Sequence, residues 1–288
     1  MTPYKTDTMT LPAPAKLNLF LHIVGRRHDG YHNLQTVFQF LDYGDQLQFS
    51  RRTDQRIQLQ DSHSGVAYAD NLVVRAANAL QQAAAAKGLA TTGADITLSK
   101  RLPQGAGLGG GSSDAATTLV GLNHLWQQPL SQAELLQLGL TLGADVPIFI
   151  HGHAAFAEGV GERFINVEPA TPWYLVVKPK VSIATAALFQ HPYLQRNCVQ
   201  LSVDDWSLDN TANVFEPVVC ALYPEVAKLR ERLLQYAPTR LTGSGACLFA
   251  RFDTQDAALS AQQQFSDLQS FVAQGQNRSS LIRTLTQY

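Results

Sequence analysis

Apolar and polar positions alternate first along Lys16 to Val24 (KLNLFLHIV). Strand side chains project to opposite faces in turn. The pattern therefore predicts a strand with Leu17, Leu19, Leu21 and Ile23 on one face and Lys16, Asn18, Phe20 and His22 on the other. The same signal predicts strands at Thr36 to Leu41, Gln46 to Phe49, Asp95 to Lys100 and Tyr174 to Val177, with Met1 to Thr10 as a short polar tail. Helical spacing takes over from Asn71 to Lys87, opened by an Asn cap and followed by Gly88. It returns from Gln132 to Leu142, which stops near Gly143, and from Pro224 to Leu234. Ala115, Leu119, Leu122 and Trp126 mark a further helix. Gly25 to Tyr31 (GRRHDGY) reads as a basic turn, and Phe156 to Glu162 (FAEGVGE) as the close of a first domain. The expected organisation is a mixed α/β (α+β) protein with domains at residues 1–160 and 161–288.

One segment interrupts the periodic pattern. Between the strand ending at Lys100 and the helix through Ala115 runs PQGAGLGGGSSDAA, Pro103 to Ala116. Glycine lets backbone N–H groups turn inward and approach a ligand closely. A helix start adds unpaired N–H donors and a partial positive charge. Strand, glycine loop and helix together predict a cradle for phosphate, with Pro103, Gln104, Gly105, Ala106, Gly107, Leu108, Gly109, Gly110, Gly111, Ser112 and Ser113 as its candidates. A flexible Gly/Ser linker would lack these periodic flanks. Gly105, Gly107 and Gly110 satisfy G-x-G-x-x-G, but Leu122 to Leu130 contains no ribose-binding acid, which disfavours a dinucleotide oxidoreductase. No lysine follows Gly111, so the loop is not a Walker signature, and H-R-D and D-F-G are absent. Ser112 and Ser113 lie in no G-x-S-x-G elbow.

Composition narrows the classes further. The chain has 288 residues, 45% hydrophobic and 16% charged, enough for a substantial core. A net charge of −1 provides no field for nucleic acid or a membrane surface, while a single nucleotide remains allowed. Cys198, Cys220 and Cys247 have no metal-ligand spacing and fit a reducing cytoplasm. There is no basic-then-apolar leader and no apolar run of 18 residues, so no membrane partner is expected. His151 and His153 read as exposed turn residues rather than zinc ligands. Lys16 and Asn18 read from alternation alone as a solvated polar face, and Asp145, beside Pro147 in LGADVPIFI, as a turn or cap residue.

Three separated motifs occur in order: PAPAKLNL from Pro12, PQGAGLGGGSSDAA from Pro103 and LTGSGAC from Leu241. Together they resemble the superfamily of galactokinase, homoserine kinase, mevalonate kinase and phosphomevalonate kinase over nearly the whole chain. Within it, Ala15 to Asp45 with its Gly30-Tyr31-His32 triplet, the expanded loop Gly107 to Ala116, and Leu142 to Glu162 are similar to the family of 4-diphosphocytidyl-2-C-methyl-D-erythritol kinases. Ala106 departs from that family's usual glycine, which matters only if the position needs positive φ.

The resemblance implies a two-domain small-molecule kinase fold with its active site in the interdomain cleft and a left-handed β-α-β crossover, against the usual rule. It implies Lys16 and Asp145 as the catalytic pair, with ATP on the glycine loop and its adenine near Asn71 and Leu72. A small-molecule cytidine diphosphate-linked substrate would lie against Asn18, Tyr31, His32, Thr185 and Phe189. The turn from Thr242 to Gly245 would support nucleotide and substrate. Asp145 would take a proton from the 2-hydroxyl as it attacks the γ-phosphate, with the Lys16 charge stabilising both groups. Mg²⁺ is expected with ATP; the Ser112 and Ser113 hydroxyls are possible ligands, and no protein ligand set is assigned. No nucleic acid, membrane or obligate protein partner is expected. A sister kinase acting on a nucleoside-free alcohol would keep Asp145 and the loop but need no base pocket, and a nucleotide sensor would not need both Lys16 and Asp145.

Overall fold

The computed structural model describes residues 8–28, 30–61, 65–127 and 129–288. Its elements run β1 (Thr8–Arg26), β2 (His32–Arg51), β3 (Ile57–Asp61), α1 (Leu72–Ala86), β4 (Ala94–Ser99), α2 (Gly110–Leu125), α3 (Gln132–Leu142), α4 (Val146–His151), β5 (Ala155–Gly159) and β6 (Arg163–Asn166). The chain continues with β7 (Trp173–Lys178), α5 (Thr185–Gln190), α6 (Phe215–Leu222), α7 (Pro224–Leu234), β8 (Thr239–Leu241), β9 (Leu248–Phe252), α8 (Gln255–Gln262), β10 (Gln269–Gln276) and α9 (Ser280–Leu285).

The sheet order is β3-β4-β2-β10-β7-β9-β8, with β1 paired antiparallel to β2 and the β5–β6 hairpin attached to β2. The strands β3 and β4 are parallel neighbours joined through α1, which makes the β-α-β unit. One hydrophobic cluster lies beneath α1, α2 and α4, holding Phe49, Leu80, Leu119 and Phe149. A second lies beneath α6, α7 and α8, holding Phe215, Leu229, Leu248 and Phe265. A third, with Leu17, Phe20 and Tyr174, fills the space between them. One sheet thus contributes strand residues to all three clusters.

Local chemistry explains the helix boundaries. Asn71 caps α1 by accepting a bond from Val73 N. Ser131 and Glu134 form a reciprocal capping box at α3. Alternation was less reliable. The strands expected at Thr36 to Leu41 and Gln46 to Phe49 are one strand, β2, whose pairing with β1 shifts register instead of turning. A second shift between Asn18 and Leu21 breaks the two-faced pattern, so Leu17, Leu19 and Phe20 share one core cluster while Leu21 and Ile23 enter another. The expected polar tail is also shorter: Thr8 to Thr10 already pair in β1, and its first seven residues lie outside the described ones. Of the predicted basic turn, Gly25 and Arg26 belong to β1 and Asp29 lies outside the described residues. His151 is not an exposed turn residue but a half-buried helix end, its ring stacked on Phe164 at 4.8 Å and bonded to Asn166.

Candidate active site

The glycine loop and the start of α2 form one wall of a cavity of about 460 Å³. The strands β1 and β2 supply Lys16, Asn18, Thr36 and Phe38; the segment before α4 supplies Ala144 and Asp145; α5 supplies Thr185 and Phe189; and the late turn supplies residues 243–245. The loop corner is fixed from behind. Asp45, 2% exposed, accepts bonds from Arg101 N (2.5 Å), Leu102 N (2.7 Å) and Lys100 Nζ (2.5 Å). Lys100 also meets Asp114 at 2.8 Å. Burial, which favours a neutral lysine, is outweighed by Asp114 and Asp45, so Lys100 is held charged; burial pushes the Asp114 carboxyl up despite Lys100.

Lys16 lies 2% exposed at the centre of the cleft. Its Nζ is 3.3 Å from Asp145 Oδ2 and donates to Asn18 Oδ1 (2.5 Å) and Gly107 O (3.0 Å). Asn18 is oriented in turn, because its Nδ2 donates to Thr36 Oγ1 (2.9 Å), which donates to Phe20 O (2.5 Å). This chain of donors directs the amide oxygen at the ammonium. Asp145 precedes α4 but its side chain caps nothing; it remains 39% exposed at the cavity mouth. The solvated-face reading of Lys16 and Asn18 therefore gives way, while Asp145 does occupy the turn at the head of α4, with its carboxylate free of any capping bond.

The loop closes against the late turn. Gly107 has φ +75, and a Cβ there would stand 2.3 Å from Thr242 O. Thr242 Oγ1 accepts from Asn18 N and donates to Gly107 O, joining β1, loop and turn at one residue. Asn213 Nδ2 bonds both Leu241 O and Gly243 O and sets the turn's shape. Ala106 does not have positive φ; its methyl is in the third cluster and its carbonyl accepts from Cys247 N. Cys247 is fully buried, which pushes its thiol up to about 12.

Among the expected loop residues, Pro103 and residues 105–112 line the cavity. Gln104 is exposed outside it, and Ser113 is buried beneath, its Oγ without a hydrogen-bond partner. Leu72 lines the cavity, whereas Asn71 uses its amide to cap α1 and to reach Asp61 at 3.1 Å. Thr185 bonds Ser244 at 2.7 Å. A second cavity, of about 1100 Å³, adjoins the first across Leu34, Ala144, Val160 and Phe189. Tyr31, 67% exposed, and His32 line it beside Arg26, Arg27 and Arg196. The His32 ring stacks on Phe189 at 5.3 Å and 22°. Burial, then Arg196 and Arg26, holds His32 below its ordinary value, so a neutral imidazole faces the pocket. Thr36, Asn213 and Arg196 were missed by sequence reasoning. Thr36 meets Asn18 only through a bulge, and Arg196 acts through backbone carbonyls, which leave no side-chain signature.

Residues 71–153 match the GHMP kinases N terminal domain, and residues 199–269 match the GHMP kinases C terminal region. The chain belongs to the GHMP kinase family. This kinase is 63% identical to the 4-diphosphocytidyl-2-C-methyl-D-erythritol kinase of Idiomarina loihiensis, covering 98% of the chain and 99% of the relative. It is 55% identical to the kinase of the same name from Shewanella putrefaciens, over 95% and 96%. The crystal structure of a 4-(cytidine 5'-diphospho)-2C-methyl-D-erythritol kinase superposes with a TM-score of 0.80 at 31% identity, covering 93% of this chain and 99% of that one. The mixed α/β fold is thus a two-part kinase fold, and the first cavity takes its lining from both matched parts of the kinase. Among the described residues, no helix of the kinase is long and apolar enough to cross a membrane.

Proposed function

We propose that this kinase transfers the γ-phosphate of ATP to the 2-hydroxyl of 4-diphosphocytidyl-2-C-methyl-D-erythritol, a step of non-mevalonate isoprenoid precursor synthesis. The observation that carries the reading is the Lys16–Asp145 pair, 3.3 Å apart, in the glycine-lined cavity that adjoins a second, aromatic and basic one. ATP phosphates would meet the N–H groups of residues 105–112, the Ser113 N–H being spent on Gly109 O, with adenine toward Asn71 and Leu72. The cytosine would stack near Tyr31 and Phe189, with neutral His32 reading its edge, because stacking alone accepts any base. Asn18 and Thr185 would position the alcohol.

Asp145 is exposed enough to reach an incoming hydroxyl and takes its proton as the oxygen attacks phosphorus. The Lys16 charge stabilises the forming alkoxide and the transferring phosphoryl oxygens, while Asn18 and Gly107 O hold the ammonium in place. Mg²⁺ would neutralise phosphate charge; oxygen ligands and retained waters suit it, and Ser112 is the hydroxyl-bearing loop residue that lines the cavity. Among the described residues, no group of three or more His, Cys, Asp or Glu could hold a metal ion, so the phosphates would carry most of its coordination. The division at residue 160 would separate a nucleotide-gripping part from a part that completes the acceptor pocket. Use of ATP, with Cys198, Cys220 and Cys247 unpaired, supports a cytoplasmic location.

Loss of a general base typically removes 10²–10⁴-fold, so Asp145→Asn should raise the barrier by about 3–5 kcal/mol. ADP release is to be measured across alcohols with and without an attached cytidine diphosphate. Near-normal turnover by a folded Asp145→Asn enzyme, or equal use of a nucleoside-free alcohol, sinks the assignment.

A further inference from the structure

The wall that carries Phe189 is a helix with little strength of its own. The helix α5 spans six residues and begins at Ala184 without a side-chain cap. Isolated helices this short do not persist in water. Leu188 is buried beneath it, and Phe189 meets Phe215 edge-on at 4.9 Å. Those apolar contacts leave the helix end to be fixed by something else, because the last carbonyls of a helix lack intrahelical partners.

Arg196 supplies those partners. Its Nη2 donates to Phe189 O (2.8 Å) and His191 O (2.8 Å), and its Nη1 donates to Leu194 O (3.0 Å). One planar guanidinium therefore gathers the carbonyl of the pocket ring's own residue and two carbonyls of the chain that follows. Its charge also suits a helix C-terminus. The segment is then tied to β1 by Cys198 N–H donating to Ile23 O at 2.9 Å. The clamp thus grips the backbone of the residue whose ring stacks on His32, in the cavity that Arg196 itself borders.

We infer that Arg196 is the positioning residue for base selection: it fixes Phe189 through the backbone and so sets preference for a nucleobase-bearing acceptor. The inference rests on the reading of the second cavity as the base pocket. Lysine at 196 would keep the charge but cannot bridge three carbonyls in one plane.

A double-mutant cycle tests it, with Arg196→Lys, Arg196→Gln, Phe189→Ala and the Arg196→Lys/Phe189→Ala pair. Each is assayed for KM of the cytidine diphosphate-linked acceptor, KM of ATP and kcat, with thermal denaturation confirming a folded enzyme. Partial misalignment of the stacking ring should raise acceptor KM about tenfold in either Arg196 variant. ATP KM and kcat should stay within about twofold, and the pair should be no worse than Phe189→Ala alone. Wild-type acceptor KM in Arg196→Lys would overturn the inference, since charge alone would then suffice. Multiplying effects in the pair would overturn it too, since Arg196 would then act independently of Phe189. A wild-type enzyme with no preference for the cytidine-linked acceptor would instead overturn the base-pocket reading, and the inference with it.

Discussion

Two glycines of the same loop give a controlled comparison. Gly105 and Gly107 both have positive φ, +60 and +75. An alanine at either must bear the left-handed penalty, about 1–2 kcal/mol. Their surroundings differ. A Cβ on Gly105 meets nothing within 4 Å, whereas one on Gly107 falls 2.3 Å from Thr242 O and 3.1 Å from Gly245 O. Ordinary carbon contacts need about 3.5 Å, so the late turn or the loop must yield by about 1 Å. That movement breaks the meeting point at Gly107 O, where the Lys16 ammonium and the Thr242 hydroxyl both donate. Losing a charged and a neutral bond adds about 2–4 kcal/mol to the backbone penalty. Gly105→Ala should thus lower Tm by a few degrees while leaving the Lys16 anchor at Gly107 O in place. Gly107→Ala should lose about 3–6 kcal/mol of stability, with kcat falling sharply because Lys16 loses an anchor. Thermal denaturation and steady-state kinetics on both proteins decide it. Equal Tm shifts and equal kcat values would refute the argument that the loop and late turn touch through this carbonyl.

Other outcomes follow from the same geometry. Thr36→Val removes the acceptor for Asn18 Nδ2 and frees the amide to turn its NH₂ toward Lys16; kcat should fall about tenfold, with recovery in Thr36→Ser. Asn71→Ala removes the α1 cap and the bond to Asp61, so Tm should fall by a few degrees for about 1 kcal/mol, with ATP KM rising as Leu72 shifts and acceptor KM unchanged. His22 is held below its ordinary value by burial and then by Arg240, and its Nε2 accepts from Ala212 N. The unfolded chain therefore takes up the proton first on acidification, so stability present above pH ~6.5 is lost as pH falls below it. The Tm difference between pH 7.5 and pH 5.5 should shrink in His22→Gln.

Legibility followed the range of the interaction. The helices at residues 72–86, 132–142 and 224–234 depend on caps and spacing within one turn, and their sequence limits hold to within a residue. The glycine-rich loop between β4 and α2 was visible because glycine density is local. The strand pair β1–β2 was only half visible, since bulges are set by packing across the sheet rather than by either strand's own pattern. Lys16 and Asp145 each looked ordinary alone. Their encounter joins residues 129 positions apart in sequence, and only resemblance to a family anticipated it. Thr36 and Arg196 act through an amide and through carbonyls, contacts that no residue spacing encodes.

The sulfur behind the glycine loop has a practical consequence. With its thiol shielded from solvent and reluctant to ionise, Cys247 should ignore alkylating reagents as long as the enzyme is intact, while Cys198 and Cys220 are only half-buried. Modification of all three sulfurs would then report that the loop's supporting layer has opened, making thiol trapping a clock for local unfolding beneath the glycine loop.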